Sequence, residues 1–226
     1  MQLPAGDTLP GGGGMLYPKL AVFESSQSWT FPATALPVVD YDVIAAGASG
    51  GGKANSGGGG GGERRRGSAT LVPGDDYSMV VGAPGLGVAG ANGQAGGDSA
   101  IVGVVTTKGG KPPSDQTGGD AGNGTHPARP GQNPIVSDSG PGGTSAANSG
   151  DGGIGLGGVC SGGGAGTYSG SAGRGGPGAG DGSIADNAPS SATRPGCGGG
   201  GASDGTKPGG NGFRGEIRIQ YWDTVP

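Results

Sequence analysis

Apolar residues recur with a period of two in several short stretches of this chain, and between those stretches they carry no period at all. Leu20, Val22 and Phe23 sit in a short apolar run, and Ser28 to Phe31 alternates polar with aromatic residues. From Val38 to Ala46, Val39, Tyr41 and Val43 fall on one face and Asp40 and Asp42 on the other. Ala69–Val72, Tyr77–Gly82 and the β-branched run Ser99–Thr107 read as further strands. The last such stretch alternates strictly: Phe213, Ile217, Ile219 and Tyr221 oppose Arg214, Glu216, Arg218 and Gln220. A period of two with one polar face predicts half-buried antiparallel strands. Pro32 and Pro37 bracket a turn or sheet edge, and Pro73–Asp76 predicts a tight turn. An isolated strand is unstable, so Phe213–Trp222 must pair with strands from residues 15–81. The expectation is a small antiparallel, sandwich-like β frame.

What lies between the strands is mostly glycine. The chain has 226 residues, of which 62 are glycine, with 31% hydrophobic and only 4% aromatic residues. That is too little apolar material for a conventional core of this size. Sequence so poor in apolar side chains ordinarily stays disordered, because burial cannot offset the ordering entropy. Here the non-glycine residues are segregated into three polar connections, at 111–117, 125–139 and 183–195. Glycine also permits left-handed polyproline-II rods, three residues per turn, whose outward N–H and C=O groups can pair rod to rod. The fold expected is therefore all-β with little helix: a β-sandwich-like frame carrying a glycine-rich insertion folded as a bundle of polyglycine or polyproline-II-type rods. Residues 1–14 are expected to form an N-terminal arm or linker, 15–107 with 213–226 the frame, and 108–212 the bundle. Residues 47–62 are a first glycine excursion from the same frame.

Charge and chemistry narrow the function classes. A formal charge of −4 argues against general affinity for nucleic acid or anionic membranes. No apolar run approaches a membrane span, and the start lacks the basic and apolar regions of a signal peptide, so synthesis in a cytoplasm is expected. Gly85–Gly90 spells a dinucleotide-type glycine string, but no helix pattern follows it. Arg64–Arg66 is expected to be a solvated rim or a salt bridge to a neighbouring subunit. With one histidine, no carboxylate cluster and no nucleophile elbow, neither an enzyme nor a metal or cofactor site is expected. Cys160 and Cys197 are a candidate disulfide, the other reading being small buried thiols between packed backbones.

The order of elements carries a resemblance. A strand ending Val43–Gly47 opens into glycine, a strand closes on the turn Val72–Asp75, Tyr77–Ala83 leads back into glycine, and Gly209–Gly212 feeds the final strand. This arrangement, over about residues 28–222, resembles the glycine-rich domain of bacteriophage tail-fibre proteins and is similar to the tip adhesins of T-even-type long tail fibres. The resemblance implies stacked glycine rods with exposed loops at their far end. It also implies a virion location at the tail or fibre tip, other tail or fibre subunits held through the frame and arm, and homo-oligomers. A host surface glycan or outer-membrane protein would be the receptor, bound without nucleic acid or membrane insertion. Receptor-binding candidates are the polar residues of the connections and the one aromatic ring among the glycines: His126, Arg129, Gln132, Asn133, Asp138, Tyr168, Asp186, Asn187 and Arg194. The other readings are a head-fibre, decoration or tail-tip spacer protein, and a non-viral ice-binding polyproline-II bundle, which the irregular glycine spacing disfavours.

Overall fold

The alternating stretches pair as strands in the computed structural model, which describes residues 15–114, 118–119, 152, 160–167 and 171–224. Among these, β1 (Leu16–Phe23), β3 (Val38–Ile44), β4 (Arg64–Thr70) and β8 (Glu216–Thr224) form one sheet in the order β1-β8-β3-β4. The second sheet, in the order β2-β5-β6-β7, contains β2 (Gln27–Thr30), β5 (Asp76–Val80), β6 (Ser99–Ile101) and β7 (Val105–Thr107). All pairings are antiparallel. No helix occurs among the described residues, including after Gly85–Gly90.

The final strand sits in the interior of its sheet, matched to β1 by Phe23↔Ile217 and to β3 by Val43↔Ile217. Its odd residues face inward as the alternation requires, and Ile217 and Ile219 are fully buried. They join Phe23, Phe31, Val39, Tyr41, Val43, Leu71, Met79 and Ile101 in one core between the sheets. Trp29 bridges the layers, with ring centroids 5.4 Å from Phe23, 5.5 Å from Phe31 and 5.8 Å from Tyr221. Such tilted and edge-on aromatic contacts add to their area of burial.

Two expectations need correction. Ser99–Thr107 is not one strand but a hairpin, β6 and β7, because Gly103 takes φ +82 at the turn between them. The arginine run belongs to strand β4, and two of its three side chains pair within the chain instead of forming a solvated rim. Arg64 is buried and grips Asp42 bidentately, Nε at 2.8 Å and Nη2 at 2.5 Å. Arg65 Nε bonds the fully buried Glu63 at 2.6 Å, and only Arg66 is largely exposed. Asp42 stands opposite Arg66 and two register places from Arg64, and Glu63 precedes Arg65 by two residues, so the buried members of this group enter the frame without stranding a charge.

The glycine segments leave the frame at one end, where β3 stops at Ile44 and β8 starts at Glu216. Residues 45–52 run out from β3, and their N–H groups turn to three different neighbours in rotation. Ala45, Ala48 and Gly51 donate to Glu63, Gly60 and Gly57. Ala46, Ser49 and Gly52 donate to Gly97, Gln94 and Ala91, while Gly47 and Gly50 donate to Phe213 and Gly210. The carbonyls are taken up from other sides: Ala46 accepts from Gly110, Gly47 from Gly85, and Ala48 and Gly51 from Gly199 and Ala202. A return every third residue is the repeat of a three-residue-per-turn extended helix, whereas a strand returns every second. The same stepping recurs in Ser56, Gly59 and Gly62 to Ala202, Gly199 and Gly196, and in Gly164 and Thr167 to Gly180 and Ser183.

These contacts require the absence of side chains. A Cβ on Gly50 would lie 2.0 Å from the Gly200 carbonyl oxygen, and one on Gly61 would lie 1.8 Å from that of Cys160. Residues 44–52, in the middle of the array, are all buried.

Candidate functional site

The turns at the outer end of the glycine segments meet one another. Segment 45–52 ends in Lys53–Asn55, a turn closed by Ser56 Oγ donating to the Lys53 carbonyl at 2.6 Å, with Asn55 at φ 52. A left-handed asparagine is common because its short side chain tolerates that region. Asn55 N donates to the Ser203 carbonyl at 3.0 Å, which brings the turn 204–207 alongside. Gly90 N bonds the Gly52 carbonyl at 2.8 Å and Gly52 N bonds that of Ala91 at 2.9 Å, fastening a third turn. Built Cβ atoms measure how close these turns lie: one on Gly205 would be 3.9 Å from Ala54 N, and one on Gly90 would be 3.7 Å from the Gly205 oxygen.

A fourth turn, Ile184–Asn187, is tied in by a relay of hydroxyls. Ser203 N donates to Ser183 Oγ at 2.9 Å, Ser183 Oγ donates to Ser203 Oγ at 3.1 Å, and Ser203 Oγ donates to the Ala185 carbonyl. Ser183 and Ser203 are both buried, so the relay satisfies groups that water cannot reach. Ile184 also bridges Thr167 in parallel. On the neighbouring turn, Asp204 Oδ1 accepts from Thr206 Oγ1 at 2.6 Å and Thr206 N at 2.7 Å. The Thr206 hydroxyl and amide, with Lys207 behind them, hold the Asp204 carboxyl below its usual value and keep it ionised.

The resulting surface presents Asn92, Asp186, Asn187 and Thr206 to solvent, with Lys53, Asn55, Asp204 and Lys207 half-buried around them. Ile184 is its exposed apolar side chain. Donors and acceptors of both charges are held on turns whose backbones are bonded to buried segments. Such a surface can make many directional hydrogen bonds at low ordering cost. Among the described residues no group of three or more histidine, cysteine, aspartate or glutamate side chains could hold a metal ion.

Of the residues singled out from the sequence, Asp186 and Asn187 lie on this surface. Arg194 does not join them. It sits at the frame end, where its carbonyl accepts from Cys197 N, its side chain crosses Gly178, and nearby Gly196 abuts Ile44 and Ala45. Segment 196–203 separates the two places, about 22 Å at ~3.1 Å per residue. His126, Arg129, Gln132, Asn133, Asp138 and Tyr168 lie outside the described residues. Cys160 and Cys197 are on neighbouring segments aligned by Gly198 N bonding the Ser161 carbonyl, and both are fully buried thiols that are not joined in a disulfide. Burial pushes the Cys197 thiol above its ordinary value. Lys53–Asn55, Asn92 and Asp204–Lys207 were hidden inside glycine runs. A signal for the last was the Asp-Gly-Thr string, which favours a side-chain-capped turn.

No curated protein matches the chain. The family described as "Glycine-rich domain" matches residues 22–222, almost the whole length, and the protein belongs to that family.

Proposed function

We propose that this chain is a receptor-binding adhesin at the tip of a bacteriophage tail or tail fibre. In this reading its hydrogen-bonded glycine segments are polyglycine-type rods, and the turns at their outer end contact the host surface. The observation that carries it is polarity. Leu16 pairs with Thr224 at the end of the frame farthest from the glycine segments, so both described chain ends emerge at one pole. The cross-bonded turns 53–55, 90–92, 184–187 and 204–207 occupy the other. A protein anchored by one pole and carrying fixed polar turns at the opposite one has the form of an attachment device. The ligand class that suits those turns is a surface glycan or an outer-membrane protein loop, read by hydrogen bonds. The frame pole would hold the other tail or fibre subunits.

Replacing Asp186–Asn187 and Asp204–Lys207 by glycine-serine turns of equal length tests this. Expected is a loss of binding to host cells with unchanged circular dichroism and melting temperature. Undiminished binding by well-folded variants at both turns would sink the proposal.

A further inference from the structure

Ala185 is the one alanine among the described residues with a left-handed backbone, at φ 48. An alanine has no polar side chain to bond locally there, so its surroundings must hold it. Asn55, at φ 52 on a neighbouring turn, is of a type that tolerates this region. Glycine, which the chain uses freely elsewhere, would sit at 185 without strain. What holds Ala185 is Ser203, whose hydroxyl donates to the Ala185 carbonyl. Ser203 is fully buried, and each of its polar atoms is committed. Its N donates to Ser183 Oγ at 2.9 Å, its Oγ accepts from Ser183 Oγ at 3.1 Å, and its carbonyl accepts from Asn55 N at 3.0 Å. One residue thus ties turn 184–187 to turn 53–55 and, by directly preceding it, to turn 204–207. The same bond sets what turn 184–187 shows to solvent. A trans peptide plane carries its C=O and the following N–H on opposite sides. Drawing the Ala185 carbonyl toward buried Ser203 therefore turns the Asp186 N–H away from it. That N–H and the side chains of Asp186 and Asn187 bond no described residue, and both residues are exposed.

We infer that Ser203 is the positioning residue of this surface: its buried hydroxyl holds Ala185 left-handed and thereby sets where Asp186 and Asn187 point. Alanine makes that hold decisive. With the hydroxyl gone, an alanine returns to right-handed or extended backbone, where its Cβ is unstrained, and the 185–186 peptide plane turns with it. With the hydroxyl in place, leaving the left-handed form strands a buried donor, which is costly. Asn187 N, donating to the Ile184 carbonyl at 3.2 Å, closes the turn but passes over Ala185 without fixing that peptide plane. The consequence for binding rests on the adhesin reading above; the consequence for the turn does not.

Amide NMR spectra and hydrogen exchange on the full chain test it, with Ser203→Ala made on the wild type and on Ala185→Gly. On the wild type, Ser203→Ala should displace the Asn187 resonance and speed exchange of its amide by roughly tenfold. On Ala185→Gly, where the left-handed form carries no steric cost, the same substitution should change both far less. Ser99→Ala removes another fully buried hydroxyl, bonded to Gly82 N at 2.9 Å in the frame, and should lower the melting temperature without touching Asn187. Host-cell binding should fall about tenfold in Ser203→Ala, recover in the double variant and hold in Ser99→Ala. An Asn187 amide indifferent to Ser203→Ala overturns the inference, as does one that responds equally on both backgrounds. A wild type that does not adhere to host cells counts against the adhesin reading alone, and the amide comparison still decides the role of Ser203.

Discussion

Gly50 and Gly205 differ in what surrounds them, although both are glycines in runs of small residues. A Cβ on Gly50 would lie 2.0 Å from a backbone carbonyl that cannot swing aside, whereas on Gly205 the nearest atom is 3.9 Å away. Neither takes a left-handed φ, so the contrast isolates packing from conformational freedom. Gly50→Ala is expected to cost about 3 kcal/mol, the upper end for overpacking, and Gly205→Ala to stay within about 0.5 kcal/mol. Urea unfolding of the two variants checks this. The cysteines make a second residue-scale prediction. Cys197 holds its proton more tightly folded than unfolded, so its contribution to stability is complete below the ordinary thiol range. That contribution is lost as pH rises from the unfolded thiol value toward the folded one. Stability measured by urea should therefore fall above about pH 8.5, and Cys197→Ser should flatten that slope.

At the scale of elements, β8 does more than close a sheet. It pairs with β1 on one side and β3 on the other, and residues 209–213 just before it accept from Gly47, Gly50, Gly87 and Ala192. Glycine segments have few apolar contacts of their own, so their backbone bonds persist only while their ends are held together. Deleting residues 214–226 is expected to remove slow hydrogen exchange from the amides of residues 45–52 and 57–63 as well as from the sheet. Retained protection there would mean that the glycine segments hold themselves together. The strands themselves were readable from alternation, and β8 most clearly, because burial on one face imposes a period of two on the side chains. The β6–β7 hairpin was not, because only Gly103 marks it inside an otherwise uniform β-branched run.

At the scale of the whole molecule, the chain is polar in the geometric sense, with its described ends at one pole and its cross-bonded turns at the other. Half of that was written in the residues. Alternation determined which stretches pair and which face turns inward, because water sorts side chains whatever their neighbours. The segregation of glycine from polar connections showed where the chain could pack backbone to backbone. The polar turn residues Asp186 and Asn187 were visible as interruptions. Only the tertiary structure decided that Arg194 lies at the other end from them, and that Lys53, Asn92 and Thr206 come to stand beside them. It also decided that Arg64 enters the frame against Asp42 instead of facing water. The reason is physical: a glycine has no side chain to name its neighbour, and successive N–H groups of one segment serve different partners. Which segment meets which is set by where β3, β4, β5 and β8 hold their ends, and by carbonyls from a few to more than a hundred residues away that accept the bonds.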